Sequence, residues 1–260
     1  LAENRTGASG AIGAEAVFKA APDGYTVLFT SSSSTVTLPF TMKDLPYDPN
    51  GFSPIMAAIE PLIVIVIKPS LPANSMREFV EHARRNPGKL SYGSSGVGST
   101  FHMFGASLNQ TAGIDILHVP YKGTNLGVND IMAGLLDMGF GSLAGIGPLI
   151  KGGKVRAIGV TTRQRTALAQ DVPAIAETVA GYELVGWYGL LAPLGTPRTI
   201  VDKIHAEISR ALKTPEVQER LVSVGAEAVE SSPRAFTQFL RSETVRWGKV
   251  LKEAGIKPAP

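Results

Sequence analysis

The chain has 260 residues, 44% of them hydrophobic, with 28 glycines, 18 prolines, no cysteine and a formal net charge of +3, enough for one large core or two modest ones. No Lys/Arg run reaches five and basic residues are not interleaved with aromatics, which argues against nucleic-acid binding. No apolar stretch approaches the ~18–20 residues of a membrane span, and the lack of cysteine excludes disulfides and thiol catalysis while fitting an oxidising compartment without requiring one.

The chain opens on Leu1-Ala2-Glu3-Asn4-Arg5 and shows neither the charged nor the apolar region of a signal peptide. The expectation is a cytosolic chain, or one whose beginning has been lost or processed away. Gly7, Gly10 and Gly13 recur every third residue before a helix predicted over 13–21. This is not the dinucleotide spacing G-x-G-x-x-G, and it reads as tight packing rather than phosphate binding.

A strand follows over 25–30. Ser31, Ser32, Ser33 and Ser34 come at its carboxyl end, where α/β sheets bind ligands; they are candidate ligand hydroxyls, the alternative being a solvated polar loop. Strands are predicted over 53–60 and 62–68, the second containing the most apolar run, Pro61-Leu62-Ile63-Val64-Ile65-Val66-Ile67, with the length and β-branching of a buried strand. Ser75 caps a helix to residue 86, Glu78 completes a capping box, and Pro87-Gly88 ends it.

The segment from Leu90 to Thr100 carries the sharpest signal. A strand over 90–93 meets a Gly/Ser turn, and a helix follows over 99–112. Glycines let backbone N–H groups converge, and the helix N-terminus adds partial positive charge. Ser95, Gly98, Ser99 and Thr100 are candidates for an anion socket, against an ordinary N-cap with turn glycines. His102, one turn into the helix, either packs, orients the loop or touches the ligand. A strand over 114–119 precedes Lys122-Gly123-Thr124, where Gly123 frees the backbone and Lys122 attracts an anion, or is a surface lysine beside a turn. A helix over 125–135 and a strand over 137–140 lead to Gly141 and Ser142 at the analogous position. Strands over 155–161 and 183–192 follow; Trp187 and Tyr188 in the latter either stack on a ligand or belong to the core. Helices run from Thr196-Pro197 to 212, from Thr214-Pro215 to 224 and from Pro233 to about 254.

Alternating strands and helices predict an α/β fold with a mostly parallel sheet. Two extended crossings, 65–71 and 185–193, divide the chain into a discontinuous first lobe, 1–67 with 190–260, and a second lobe, 68–189. Two strands joining two lobes make a hinge, and the cleft is the natural ligand site. Enzyme signatures are missing: there is no G-x-S-x-G elbow, no H-E-x-x-H among His82, His102, His118 and His205, and no Walker A sequence. No cofactor or metal is implied. An enzyme acting on a small carboxylate on the same scaffold stays as the alternative, since fold does not fix function.

Many short motifs stand in a familiar order. They include Glu3-Asn4-Arg5-Thr6-Gly7-Ala8-Ser9-Gly10-Ala11-Ile12-Gly13-Ala14-Glu15, Ala20-Ala21-Pro22-Asp23-Gly24-Tyr25-Thr26, Leu45-Pro46-Tyr47-Asp48-Pro49 and the Tyr92 to Thr100 turn with His102. Val119-Pro120-Tyr121-Lys122-Gly123, Lys151-Gly152-Gly153-Lys154-Val155-Arg156-Ala157, Asp171-Val172-Pro173, Trp187-Tyr188-Gly189 and Ala192-Pro193-Leu194-Gly195-Thr196-Pro197 complete the set. Over essentially the whole chain this resembles the Bug-type (TctC-like) substrate-binding proteins of tripartite tricarboxylate transporters. The resemblance implies a two-lobed, type II-like periplasmic-binding-protein (Venus flytrap) fold, a monomer, that closes on a small organic carboxylate and delivers it to membrane permease subunits. Family ligands include amino acids, dicarboxylates, citrate-like acids and aromatic acids, and no covalent chemistry is involved.

Three departures from the family pattern matter. A strand and Pro/Gly-rich turn, roughly "VPFPPGG", precedes the Glu3-Asn4-Arg5 segment in the family and is absent here, so the expectation is a first lobe lacking its N-terminal strand and helix, through a truncated gene model or a shortened expressed chain. Many members carry an acidic residue and Asn or Ser where this chain has Gly141-Ser142, which favours a ligand without an amino group. Thr6 replaces a proline, affecting turn rigidity alone.

Overall fold

A computed structural model describes residues 1–5, 7–253, 255, 256 and 258; the expectation for Thr6 and the predicted helix end at Ala254 lie outside the described residues. The chain forms two compact α/β units, the first comprising residues 1–60, 187–222 and 227–260, the second 61–186 and 223–226. In chain order the elements begin with α1 (Ala11–Phe18), β1 (Leu28–Ser31), α2 (Leu38–Thr41), β2 (Phe52–Pro61), β3 (Ile63–Ile67) and α3 (Met76–Arg85). Next come β4 (Leu90–Ser94), α4 (Thr100–Ala112), β5 (Ile116–Pro120), α5 (Thr124–Met132), β6 (Met138–Ser142) and α6 (Leu143–Lys151). The chain continues with β7 (Arg156–Val160), β8 (Tyr188–Pro193), α7 (Arg198–Leu212), α8 (Pro215–Ser223), β9 (Ala226–Ala228) and α9 (Pro233–Glu253).

The sheet of the first unit has the order β1-β8-β2-β9, and that of the second β5-β4-β6-β3-β7. Strand β8 is antiparallel to both β1 and β2. In the second unit β4 is parallel to β5 and β6, while β3 is antiparallel to β6 and β7. The second sheet is therefore mixed and these pairs of the first are antiparallel, which corrects the expectation of a mostly parallel sheet. The antiparallel members are the strands by which the chain enters a unit directly, β3 after Pro61 and β8 after Trp187, with no helical crossover of the kind that parallel pairing requires. The expected crossing over 65–71 is likewise corrected: β3, assigned above to the first lobe, lies inside the second unit's sheet.

Strand β3 forms because five consecutive β-branched residues suit a strand covered on both faces. All five are 4% exposed or less. Val64 and Val66 join Val128 and Ile131 of α5 and Ile146 of α6 in one core cluster. On β6, Phe140 packs against Phe101 and Phe104 of α4. Burial of each Val, Ile or Phe contributes roughly 1.5–3 kcal/mol before chain entropy is counted, so this sandwich holds the site's scaffold.

Helix α3 begins as expected, with the Ser75 hydroxyl accepting the Glu78 N–H at 3.2 Å. The Glu78 carboxylate, however, takes the N–H of Asn74 at 2.7 Å, not that of Ser75, so the reciprocal half of the capping box is displaced by one residue. Helix α6 has no counterpart among the predicted elements, because Gly145, Gly147 and Pro148 argue against a helix; the Ser142 cap and burial of Ile146 override propensity. The three-residue β9 and the helical stretch after β1 were also absent from the expected elements, and residues 183–187 do not form the strand predicted there. Gly10, at φ 96°, lies so close to Ser34 that a Cβ would stand 2.9 Å from its Oγ, which accords with the tight-packing reading of the glycine run.

Candidate functional site

In the second unit, three adjacent parallel strands, in the order β5-β4-β6, end on the same side of the sheet, and each hands over to a helix N-terminus. Strand β4 leads to α4 through Ser95–Ser99, β5 to α5 through Tyr121–Gly123, and β6 directly to α6. The opening N–H groups of a helix have no intrahelical acceptor and carry the positive end of its dipole. Ser95, Gly98, Ser99, Thr100, Lys122, Gly123, Gly141 and Ser142 are all brought to this edge by the pairing of Gly93 with Val119 and Gly139.

Hydroxyls and histidines hold the β4–α4 turn in shape. Gly96 and Gly98 sit at φ 122° and 76°, conformations that a side chain resists. The Ser94 hydroxyl accepts the Gly96 N–H at 3.1 Å and lies 2.6 Å from His118 Nε2. The Gly98 N–H donates to His102 Nδ1 at 3.1 Å, which assigns the proton of a neutral His102 ring to Nε2. The two imidazoles stack with centroids 3.9 Å apart, and the Tyr92 hydroxyl donates to the His102 carbonyl at 3.1 Å. Burial pushes His102 down to about 4. Burial, with the charge of His102 beside it, pushes His118 down to about 3. Both rings are neutral near pH 7 and serve as hydrogen-bonding props.

Individual candidates differ in what remains open. Ser99 caps α4, its hydroxyl accepting the His102 N–H at 3.4 Å, and is 2% exposed; Ser95 and Thr100 are partly exposed. Ser142 caps α6 through the Gly145 N–H at 3.3 Å. Gly123 precedes α5 with extended backbone and no side-chain cap, and Lys122 is exposed. His102 is buried within the loop's own bonding, which matches the orienting reading among the three considered. Sequence reasoning assigned nothing to His118 or Ser94; the one available signal was a histidine just before the Pro120-Tyr121 turn.

The first unit tells a different story. Ser31 ends β1, facing Tyr188 in register, and is partly exposed. Ser32, Ser33 and Ser34 are buried at 6%, 6% and 0% and lead into a π-helical turn, Ser33–Thr37. This corrects the solvated-loop alternative. The Ser34 hydroxyl bonds Thr30 Oγ1 at 2.7 Å and its carbonyl accepts from Tyr47 at 2.7 Å, so Ser34 is committed to the interior. Trp187, 3% exposed, packs edge-on against Phe236 and Phe239 at 5.4 and 5.8 Å. Its neighbour Tyr188 is the more open aromatic and stacks on Phe29 at 5.5 Å.

Among the described residues there is no cluster of three or more His, Asp or Glu that could hold a metal ion, and no helix long and apolar enough to cross a membrane. Asp137, at the opposite end of β6, is structural: it pairs with Lys68 at 2.7 Å and accepts the Ser91 N–H at 2.8 Å.

The sequence profile of the tripartite tricarboxylate transporter family receptor, TctC, matches residues 1–256. The chain belongs to this receptor family. A protein from the tcbD–tcbE intergenic region of Pseudomonas sp. (strain P51) is 36% identical, the match covering 97% of this chain and 76% of that protein. The R. palustris protein Rpa4515, solved with adipate, is 33% identical with a TM-score of 0.91, covering 99% of this chain and 87% of that one. The periplasmic binding protein BugD is 32% identical with a TM-score of 0.87 over 99% and 87%. MatC from Rhodopseudomonas palustris, solved with malate, is 29% identical with a TM-score of 0.84 over 96% and 86%. The two-unit α/β fold is thus that of the Bug-type periplasmic binding proteins, and family and fold are those of solute-binding receptors rather than enzymes.

Proposed function

We propose that this chain is a periplasmic receptor that binds one small organic carboxylate and delivers it to the permease subunits of a tripartite tricarboxylate transporter. The observation that carries the reading is the convergence of three helix N-termini on the edge formed by β5, β4 and β6. Backbone N–H groups at such ends receive carboxylate oxygens by charge-assisted hydrogen bonds. Ser95, Thr100 and Ser142 supply hydroxyls, Gly98, Gly123 and Gly141 allow close backbone approach, and Lys122 draws the anion in without fixing its geometry. Dicarboxylates bound to two members of the family, adipate and malate, support this ligand class.

The ligand has no amino group. The edge offers Gly141-Ser142 where a carboxylate would be needed to pair with an ammonium. Thermal shift followed by calorimetry against dicarboxylates, hydroxy acids, aromatic acids and amino acids tests both statements. The expected result is one-to-one binding of a plain carboxylate, with a ligand at ~100 times its Kd raising stability by roughly 2.7 kcal/mol, and no turnover by NMR. Preference for an amino acid sinks the amine-free reading; consumption of the ligand sinks the receptor reading.

A further inference from the structure

The first unit carries a groove of about 600 Å³ that the carboxylate site does not use. It opens beside Phe52 and Leu194. Because Phe52 pairs with Pro193 and Ser31 with Tyr188, the groove lies at the opposite end of β8 from the serine segment, about 17 Å along the strand. Its wall on α9 is formed by Arg234, Gln238 and Arg241, spaced i, i+4 and i+7 on one helix face. Arg198, the first residue of α7, completes the rim, with Asp202 accepting from its Nε at 2.9 Å. Neither Arg234 nor Arg241 has an acidic partner among the described residues. The positive ends of α7 and α9 open onto the same space, since Arg198 and Pro233 both border it. The floor is apolar, with Phe52 and Val201 at 5% and 4% exposure.

We propose that this groove docks an acidic peptide segment of a partner protein, carrying carboxylates about 10 Å apart and an apolar side chain between them. Seven residues of helix separate Arg234 from Arg241 by about 10 Å, close to the ~9 Å between residues i and i+3 of a polyproline II segment, which lie on one face because that helix has three residues per turn. Each guanidinium takes a carboxylate in a two-pronged bond. A single phosphate is too small to engage both and leaves the apolar floor wet. The acidic segment supplies the counter-charges that Arg234 and Arg241 lack among the described residues. The proposal does not rest on the carboxylate-receptor reading.

The test is fluorescence anisotropy with a fluorescein-labelled peptide of repeating Glu-Leu-Leu units, at constant ionic strength. The expected result is saturable binding, weakened at least tenfold by Arg234→Glu combined with Arg241→Glu and absent for the Gln-Leu-Leu control. Both positions are exposed, and an unchanged Tm shows that the double variant folds. Equal binding by the variant or by the control peptide overturns the proposal. So does displacement of the peptide by millimolar inorganic phosphate as effectively as by unlabelled peptide, which marks a simple anion site. Sedimentation with phosphatidylglycerol vesicles in place of peptide binding also overturns it, in favour of a membrane surface.

Discussion

Two serine-rich segments, each at the end of a strand, take opposite roles. Ser94 to Thr100 follows β4 and meets a helix whose N-terminus it frames, with Gly96 and Gly98 turning the chain. Ser31 to Ser34 ends β1 and passes into a π-helical turn, and three of the four serines are buried. In the first segment the loop is propped by side chains beneath it, His102 and His118, so its outer face stays available. In the second Ser34 is itself the prop, bonding Thr30 and receiving Tyr47. A run of small polar residues after a strand can face outward where other side chains brace the turn from beneath; elsewhere the hydroxyls are consumed in closing the turn.

The largest expected effect comes from beneath the proposed carboxylate socket. Gly105 on α4 packs so tightly that a Cβ would stand 2.2 Å from the Tyr92 ring, and Tyr92 is 2% exposed with its hydroxyl tied to His102. Gly105→Ala is expected to cost about 3 kcal/mol and to abolish carboxylate binding, read by urea denaturation and calorimetry. A variant of normal stability breaks the claim that Tyr92 is fixed.

Acid comes next. Burial holds His102 down to about 4 in the folded chain, against the ordinary imidazole range near 6.5, so the unfolded chain takes up a proton that the folded one refuses between those values. Stability is full above about pH 6.5 and falls as pH drops towards 4, by on the order of 3 kcal/mol at most; His118 extends the fall towards 3. Protonated His102 Nδ1 can no longer accept the Gly98 N–H, so affinity falls with it. His102→Asn, which offers an acceptor that does not titrate, is expected to flatten the profile while keeping affinity at pH 7. An unchanged slope of Tm against pH removes His102 from this role.

Smaller effects sharpen the contrast between the segments. Gly98→Ala places a Cβ at φ 76° and is expected to cost about 1–2 kcal/mol and at least tenfold in affinity. Ser99→Ala removes the α4 cap and is expected to cost about 1 kcal/mol with weaker binding. Ser34→Ala loses the bond to Thr30 at about the same cost, about 1 kcal/mol, yet leaves affinity unchanged. Equal affinity losses for Ser99→Ala and Ser34→Ala would erase the distinction drawn between the two segments.

Much of this protein was legible along the chain. The β-branched run 63–67 declared a buried strand, Ser75 and Ser99 declared helix starts, and Gly96 and Gly98 declared a sharp turn before a helix, because each of these rests on local stereochemistry that neighbours in sequence decide. The ordered motifs declared the family for the same reason. What tertiary structure alone decided was direction and burial. Whether β3 runs with or against β6 depends on the chain entering the second unit without a crossover. Whether Ser34 faces a ligand or the interior depends on Thr30, Tyr47 and Gly10 closing around it. The pairing of His102 with His118, sixteen positions apart in sequence, exists because α4 packs on β5, and ring stacking between a helix and a strand leaves no periodic mark in a sequence.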